Sequence, residues 1–315
     1  MRLLGLALLV LLSMGCTEEL ERANQLVKPR VLGVIADVDG SARTNPRPGE
    51  TVTLDWIVEF PGVREPSTYA FFACEPAATA FGVDFCRSED DMLALEIELT
   101  PTVDAPRIEI AIPEGYATNS VLVLGAICMG GDLDTTIDMS DPTAEVCRGG
   151  MGQGQIVSLT HPVVVAERLE NLAPTIDEIL IDDAVWTATP PDDPSGGCDA
   201  SSGYPTYAMD ADEAIIVLRA SERETYEVLV GDPPEPESRV EDLQTSYLAT
   251  AGDIDQAFGF IDDINAESEV EWTPIQSDDE DMMVPEEGLI VKFVFVTRDL
   301  RGGVDYTTRA LCLTR

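Results

Sequence analysis

The chain has 315 residues, of which 59 are acidic and 19 are basic, and its formal net charge at pH 7 is −40. This charge disfavours nucleic acid and anionic lipid headgroups as partners, because both carry dense negative charge. The single histidine and the wide spacing of the seven cysteines also argue against a zinc site. We therefore predict no nucleic-acid partner, no bound metal and no cofactor.

The first sixteen residues have the features of an export signal. Arg2 precedes an apolar run, Leu3–Leu12, and small residues follow before Cys16. A run of about ten residues is too short for the roughly twenty that cross a bilayer. We therefore predict that residues 1–15 are a signal peptide that is removed. Ser13 and Gly15 are small enough for an ordinary secretory peptidase, but lipoprotein processing fits the same bond.

Gly15-Cys16 resembles the lipobox of bacterial lipoproteins, in which the cysteine becomes the acylated first residue. The lipobox has leucine three residues before the cysteine, where this chain has Ser13. The odd cysteine total favours acylation, because an exported chain pairs its thiols and Cys16 then needs another fate. Thr17 resembles the outer-membrane sorting signal of Gram-negative lipoproteins. We predict Cys16 as the lipidation site, residues 16–28 as lipidated N-terminus and tether, and an outer-membrane location on an undetermined side.

Alternation with a period of two residues dominates the body of the chain. In Val52–Phe60 apolar side chains alternate with polar ones, and Ile57 is the exception. Val121–Cys128 is apolar throughout, as expected for a central strand buried on both faces. Such segments, bounded by turn residues, are typical of an antiparallel β-sandwich. The predicted strands of the first half are Val31–Ala36, Val52–Phe60, Tyr69–Cys74, Met92–Leu99, Arg107–Ile112, Val121–Cys128 and Ile156–Val165.

The second half repeats this plan. Pro29-Arg30-Val31 with Val34-Ile35 is echoed by Pro174-Thr175-Ile176 with Ile179-Leu180. We predict an all-β chain with two tandem immunoglobulin-like antiparallel β-sandwiches, residues 29–170 and 171–315. A helical turn or two is expected within Asp253–Ala266. The other predicted strands are Ala214–Leu218, Thr225–Val230, Thr245–Ala249, Val270–Trp272, Leu289–Thr297 and Tyr306–Leu313.

An apolar strand, an Arg-Asp-x-Arg-Gly-Gly turn and a returning strand make up Val291–Tyr306. This stretch resembles the last hairpin of uncharacterised two-domain lipoproteins of some Gram-negative bacteria. Tyr247–Gly252 and Trp272–Pro274 are similar to the preceding strands of that family, and the resemblance covers mainly Glu241–Arg315, with the signal and the opening Arg30–Phe60. It implies structure but no activity. Gly302 and Gly303 are expected to supply the positive backbone angles of a tight hairpin.

The six cysteines of the body are expected to form disulfides in an oxidising compartment. Cys74 and Cys128 lie on predicted strands that place them at opposite poles of a sandwich. Each of them therefore pairs most simply with the next cysteine in the sequence. The remaining two lie in the second half, where we expect the first and last strands to be neighbours. Six cysteines allow fifteen pairings, and we predict three of these: Cys74 with Cys86, Cys128 with Cys147, and Cys198 with Cys312.

Catalytic motifs are absent from the sequence. It has no Gly-x-Ser-x-Gly elbow, and the glycine-rich Gly149–Gly154 lacks the lysine and helix of a phosphate-binding loop. His161 precedes Pro162 in a predicted edge strand, where we expect a surface histidine with no catalytic task. We predict that the protein is not an enzyme, and an extracytoplasmic hydrolase using acidic residues is an alternative.

Calcium provides a second alternative, because hard oxygens cluster in predicted loops. None of these clusters has the twelve-residue calcium loop pattern, so solvated acidic turns are the first expectation and a calcium-stabilised envelope spacer is the alternative. The clusters are Asp37-x-Asp39-x-Ser41, Asp210-x-Asp212-Glu213 and Asp278-Asp279-Glu280-Asp281.

These features together predict a cell-envelope lipoprotein with a non-enzymatic binding, adhesion or structural role. Its N-terminal lipid anchor would hold it to the membrane. An unknown protein or glycan ligand is expected to bind at exposed loops, chiefly Met129–Gly154 and Asp232–Val240, because binding residues are disproportionately found on loops.

Overall fold

The computed structural model describes residues 23–41, 43–77, 85–86, 91–136, 145–150, 152–165, 170–198, 203–220, 223–231, 233–277 and 284–315. These residues form β-strands and short 3₁₀ turns, so the predicted all-β class is confirmed. No helix among the described residues has the length and hydropathy needed to span a membrane. The strands of the first half are β1 Arg30–Val38, β2 Thr51–Glu59, β3 Ser67–Cys74, β4 Pro76–Ala77, β5 Phe85–Cys86, β6 Met92–Thr102, β7 Arg107–Ala111, β8 Ser120–Met129 and β9 Gln153–Pro162.

Seven of these strands form the first sandwich. One sheet has the order β1-β2-β7 and the other has the order β6-β3-β8-β9, with antiparallel neighbours throughout. Apolar side chains of both sheets meet in one buried core. At its centre Trp56 of β2 stacks on Phe71 of β3, with ring centroids 4.0 Å apart.

The second sandwich is built from the remaining strands. They are β10 Ile176–Ile181, β11 Ala184–Val185, β12 Thr206–Ala208, β13 Ala214–Ala220, β14 Thr225–Val230, β15 Glu235–Val240, β16 Leu243–Ala249, β17 Asp253–Ile254, β18 Phe258–Ile261, β19 Ser268–Thr273, β20 Leu289–Arg298 and β21 Val304–Thr314. Its sheets have the orders β11-β10-β13-β19-β17 and β12-β21-β20-β16-β18, and β14 and β15 form a separate hairpin.

The two sandwiches share one strand order. Strands β10-β13-β19 repeat β1-β2-β7, and β18-β16-β20-β21 repeat β6-β3-β8-β9. The echo of proline-led segments in the sequence therefore corresponds to a repeat of topology, and each predicted strand coincides with or overlaps an observed one.

The four sheets stack face to face as four layers. Along β20, Phe293 and Phe295 point into the core of the second sandwich, whereas Val294 and Val296 enter a cluster between the sandwiches. Successive side chains of a strand point to opposite faces, so β20 is buried on both. Ile57 of β2 joins the same cluster and is 4% exposed. This explains why Ile57 breaks the alternation of its strand. We call this contact between the second and third layers the junction.

Two local predictions were wrong. Asp253–Ala266 contains no helical turn but the strands β17 and β18, because Phe258 and Phe260 alternate along a strand that pairs with β16. Within Asp232–Val240, residues 235–240 are not a loop but the second strand of an exposed hairpin with β14. Asp232 itself lies outside the described residues.

The described end of the segment predicted as a tether, residues 23–28, is docked on the folded body. The Leu26 N–H donates to the Ala249 carbonyl over 2.8 Å, and the Ala249 N–H donates to the Asn24 carbonyl over 3.0 Å. Leu26 is fully buried in the junction cluster, which stabilises this contact. The segment before residue 23 lies outside the described residues.

Candidate functional site at the junction of the sandwiches

The three predicted disulfides are present, and they join Cys74 to Cys86, Cys128 to Cys147, and Cys198 to Cys312. The reason proposed for the last pair was wrong, since the first and last strands of the second sandwich lie in different sheets. Instead, β12, which follows Cys198 in the chain, pairs in parallel with β21, which carries Cys312. The predicted lipidation site, Cys16, lies outside the described residues.

The turn between β20 and β21 lies at one end of the junction. Asp299 is 2% exposed, and its carboxylate accepts hydrogen bonds from the backbone N–H of Arg301 at 2.7 Å and of Gly303 at 2.9 Å. Asn171, in the segment that connects the two sandwiches, donates from Nδ2 to the same carboxylate at 2.6 Å. Burial raises the pKa of Asp299, and these hydrogen bonds oppose the shift. The turn therefore holds the connecting segment in place.

The two glycines of this turn have different roles. Gly302 has the expected positive φ, of 113°, whereas the other residue of the turn with positive φ is Leu300 and not Gly303. A Cβ atom at Gly303 would lie 2.1 Å from Asp299 Oδ2. Gly303 is thus required for the close approach of the carboxylate.

Arg301 connects the turn to the exposed β14–β15 hairpin. Its Nη1 lies 2.8 Å from Glu224 Oε2 and 3.5 Å from Glu241 Oε2, and Nη2 donates to the Glu170 carbonyl at 2.6 Å. The guanidinium also lies 4.1 Å from the ring centroid of Tyr226 on β14, at cation–π distance. Burial raises the pKa of Glu241, and Arg301 opposes this shift. One side chain therefore binds three parts of the chain together.

His161 is not the surface residue that we expected. It lies on β9, which is an edge strand as predicted, but it is only 3% exposed. Its Nε2 lies 2.9 Å from the Thr44 carbonyl, which can only accept, so Nε2 carries the proton. Burial lowers the pKa of His161 to about 4, and the ring is neutral at pH 7. Asn171 donates to Thr44 Oγ1 at 3.0 Å, which connects His161 to the Asp299 turn.

Two cations of β20 cross the junction. Lys292 Nζ forms an ion pair with Glu59 Oε2 and donates to the Phe60 carbonyl at 3.2 Å. The side chains of Lys292 and Glu59 are 14% and 10% exposed. At the other end of the strand, Arg298 donates to the Leu32 carbonyl of β1. The sequence shows these cations but not their partners, which lie more than 200 residues away.

Several open grooves flank the junction, and two of them are lined by its charged side chains. The first has a volume of about 550 Å³ and lies between β1, β9 and the Asp299 turn, with Arg298 and Arg301 in its wall. The second has a volume of about 470 Å³ and is lined by Glu59, Lys292 and Tyr306 together with prolines of residues 190–194. Both are open depressions with mixed apolar and charged walls.

Two of the acidic stretches considered for calcium include turn residues. Asp39 follows β1 with φ of 51° and Asp210 has φ of 64°, and Asp210 Oδ1 accepts from the Ser277 N–H at 2.6 Å. The stretch Asp278–Asp281 lies outside the described residues. Among the residues that the structure describes, no group of three or more His, Cys, Asp and Glu side chains is placed to hold a metal ion.

Comparison with protein-family models and with curated proteins found no match. Among solved structures, the chain is similar to the crystal structure of red sea bream transglutaminase, with 9% sequence identity and a TM-score of 0.23. The match covers 91% of this chain and 32% of that one, so the chain spans about a third of the length of the other protein. A similarity of this size carries no argument about family or activity.

Proposed function

We propose that this protein is a cell-envelope lipoprotein with a non-enzymatic binding, adhesion or structural role, anchored by acylated Cys16 to the outer membrane. The observation that carries the proposal is the pairing of all six body cysteines in disulfides. Such bridges form and persist outside the reducing cytoplasm. Because six of the seven cysteines are paired, Cys16 has no cysteine of this chain left to pair with, which favours its acylation.

The repeated strand order supports two immunoglobulin-like sandwiches as the scaffold. Each sandwich has a three-strand set facing a four-strand set, and both sets follow the same order in the two halves. Seven antiparallel strands in two packed sheets are typical of this group of folds. Because the junction is buried and polar contacts cross it at both ends, the scaffold would present its surfaces in a fixed relative orientation.

The docked segment limits how far the body can stand from the membrane. Asn24 is hydrogen-bonded to Ala249 and lies eight positions after Cys16. Eight residues span at most about 29 Å when fully extended. An acylated Cys16 would therefore keep the Ala249 end of β16 close to the bilayer, whereas the β14–β15 hairpin adjoins the opposite end of that strand.

Mass spectrometry of the protein purified from membranes of the expressing cells tests this proposal. We expect an N-terminal peptide that begins at Cys16 and carries acyl chains, together with three intact disulfides. The variant Cys16→Ala should lose membrane association, whereas Thr17→Ser should keep it. An unmodified Cys16 terminus with six free thiols in the body would overturn the proposal.

A further inference from the structure

Strand β6 forms the open edge of the outermost layer of the first sandwich. It is 11 residues long, Met92–Thr102. It pairs with β3 in regular register over Ala94–Glu98, and the register shifts at each end of this run. Among the described residues no strand pairs with its other side. A long edge strand presents unpaired backbone N–H and C=O groups, and proteins usually shorten, cover or bend such edges to prevent association.

The outer face of β6 is apolar although it is exposed. Leu95, Ile97 and Leu99 are 58%, 50% and 50% exposed, and their spacing of two places them on one face. On β3, the half-buried Phe72 lies opposite Leu95, and Ala70, which packs against a neighbouring buried cluster, lies opposite Ile97. A contiguous exposed apolar patch of this kind marks an interaction surface.

The other face of β6 carries acidic side chains. Glu96 lies opposite Phe71 of β3, and Glu98 lies opposite Tyr69, so neither carboxylate faces a cation in its own sheet. None of the ion pairs found between described residues includes Glu96 or Glu98. Glu98 Oε1 accepts a hydrogen bond from the Thr100 N–H of its own strand at 2.8 Å. A strand added to this edge would place its own side chains directly beside these carboxylates.

We propose that β6 binds an extended segment of a partner protein by strand addition, and that this segment alternates apolar and basic side chains. Its apolar side chains would pack beside Leu95, Ile97 and Leu99, and its Lys or Arg side chains would neutralise Glu96 and Glu98. Backbone hydrogen bonds between β6 and the added strand would supply affinity, and the alternating apolar and basic side chains of that strand would supply specificity. This deepens the proposed binding role and rests on it for the existence of a partner.

Charge disfavours a second copy of this chain as the occupant. In an antiparallel pair of β6 strands centred on Ile97, Glu96 of each copy would lie opposite Glu98 of the other, and like charges placed opposite each other are destabilising. Each copy also carries a formal charge of −40. A basic segment avoids both costs.

The proposal is tested with labelled nine-residue peptides and the full-length protein purified in detergent. One peptide alternates valine and lysine, a second alternates valine and glutamate, and a third has the composition of the first in shuffled order. Fluorescence anisotropy should show binding of the valine–lysine peptide at least tenfold tighter than of the other two, and this binding should weaken at high salt.

Variants locate the binding site. Ile97→Lys should weaken binding of the valine–lysine peptide at least tenfold. The double variant Glu96→Lys with Glu98→Lys should instead prefer the valine–glutamate peptide, which a misfolded protein would not do. Phe258→Lys is the matched control, because Phe258 is 51% exposed on β18, the corresponding edge strand of the second sandwich, and it should leave binding unchanged.

Equal affinity for the two charge patterns, or binding that is unaffected by Ile97→Lys, would overturn the proposal. So would a dimer in sedimentation velocity that Ile97→Lys dissociates, because the occupant would then be a second copy. None of these readouts depends on the N-terminal modification, so they separate failure of this inference from failure of the proposed anchoring.

Discussion

Lys292 of the second sandwich forms a buried ion pair with Glu59 of the first, across the junction between the two middle layers. Lysine occurs at only one other position in the chain, Lys28. A compact ammonium group on a flexible stem can reach a carboxylate from a position between apolar neighbours, here Val291 and Phe293. The pair therefore links the two sandwiches across the junction.

Replacing Lys292 with methionine should lower the free energy of unfolding by roughly 3 to 5 kcal/mol, because it leaves Glu59 buried without its partner. Urea denaturation at pH 7 measures this change. The double variant Lys292→Met with Glu59→Leu should recover most of the loss. Arg239→Met removes an exposed pair with Glu237 and should have almost no effect. A midpoint unchanged in Lys292→Met would show that the pair does not hold the sandwiches together.

Acid should destabilise the junction through His161. Its pKa is lowered from 6.5 to about 4 in the folded protein, so the unfolded chain binds a proton more readily between these values. The stability that the neutral ring provides is fully present above pH 6.5 and decreases as pH falls towards 4, by roughly 3 kcal/mol. Denaturation curves measured from pH 7 to pH 4 give the free energies of unfolding of the protein and of His161→Gln. The difference between the two free energies should shrink by this amount as pH falls.

Two buried acids near the Asp299 turn act in the opposite direction. Burial raises the pKa values of Asp299 and Glu241, so the folded state binds their protons more tightly, and their contribution to stability grows as pH falls through the raised pKa values. Because both acids are present in the protein and in His161→Gln, the difference between the two isolates the histidine. Parallel pH profiles would contradict a buried neutral His161.

Gly125 of β8 should not tolerate a side chain. It lies opposite Phe71, and a Cβ atom there would come within 2.1 Å of the Phe71 ring and 2.7 Å of the Ala70 carbonyl oxygen. The Ala70 backbone is held in the sheet and Phe71 is stacked on Trp56, so neither can move aside. We therefore expect Gly125→Ala to lower the free energy of unfolding by about 3 kcal/mol or more. Thermal unfolding should show this loss. Gly62→Ala, where the added Cβ has no neighbour within 4 Å, should leave the melting temperature nearly unchanged.

Period-two alternation located most of the strands, because most of them have one face towards a core and the other towards solvent. Thr225–Val230 was predicted with its observed bounds, although its hairpin is exposed. The packing of one sandwich on the other is less evident from the sequence. Ile57 and the continuous apolar stretch around Val294 indicate strands buried on both faces, but they do not say which surface covers them.

The environment of His161 could not be predicted from its neighbours in sequence. Its partner carbonyl, at Thr44, lies 117 positions away, and the turn at Asp299 reaches it through Asn171. An isolated histidine before a proline looks like an ordinary edge residue, because burial by a distant segment has no local pattern. The same holds for Asn24 and Leu26, whose polar surroundings in sequence indicate a tether although they dock on Ala249.

The three disulfides should contribute unequally, in the order of the loops that they close. Cys198 and Cys312 are separated by 114 residues and Cys74 and Cys86 by 12, and the entropy lost by the unfolded chain gives about 5 and about 3 kcal/mol respectively. Urea denaturation without reductant should therefore show that Cys198→Ser with Cys312→Ser is about 2 kcal/mol less stable than Cys74→Ser with Cys86→Ser. With dithiothreitol present, the unsubstituted protein and both double variants lose their remaining bridges, and their denaturation midpoints should converge. An equal loss in the two double variants would mean that contacts around the bridges, such as β12 against β21, and not loop closure, set their contribution.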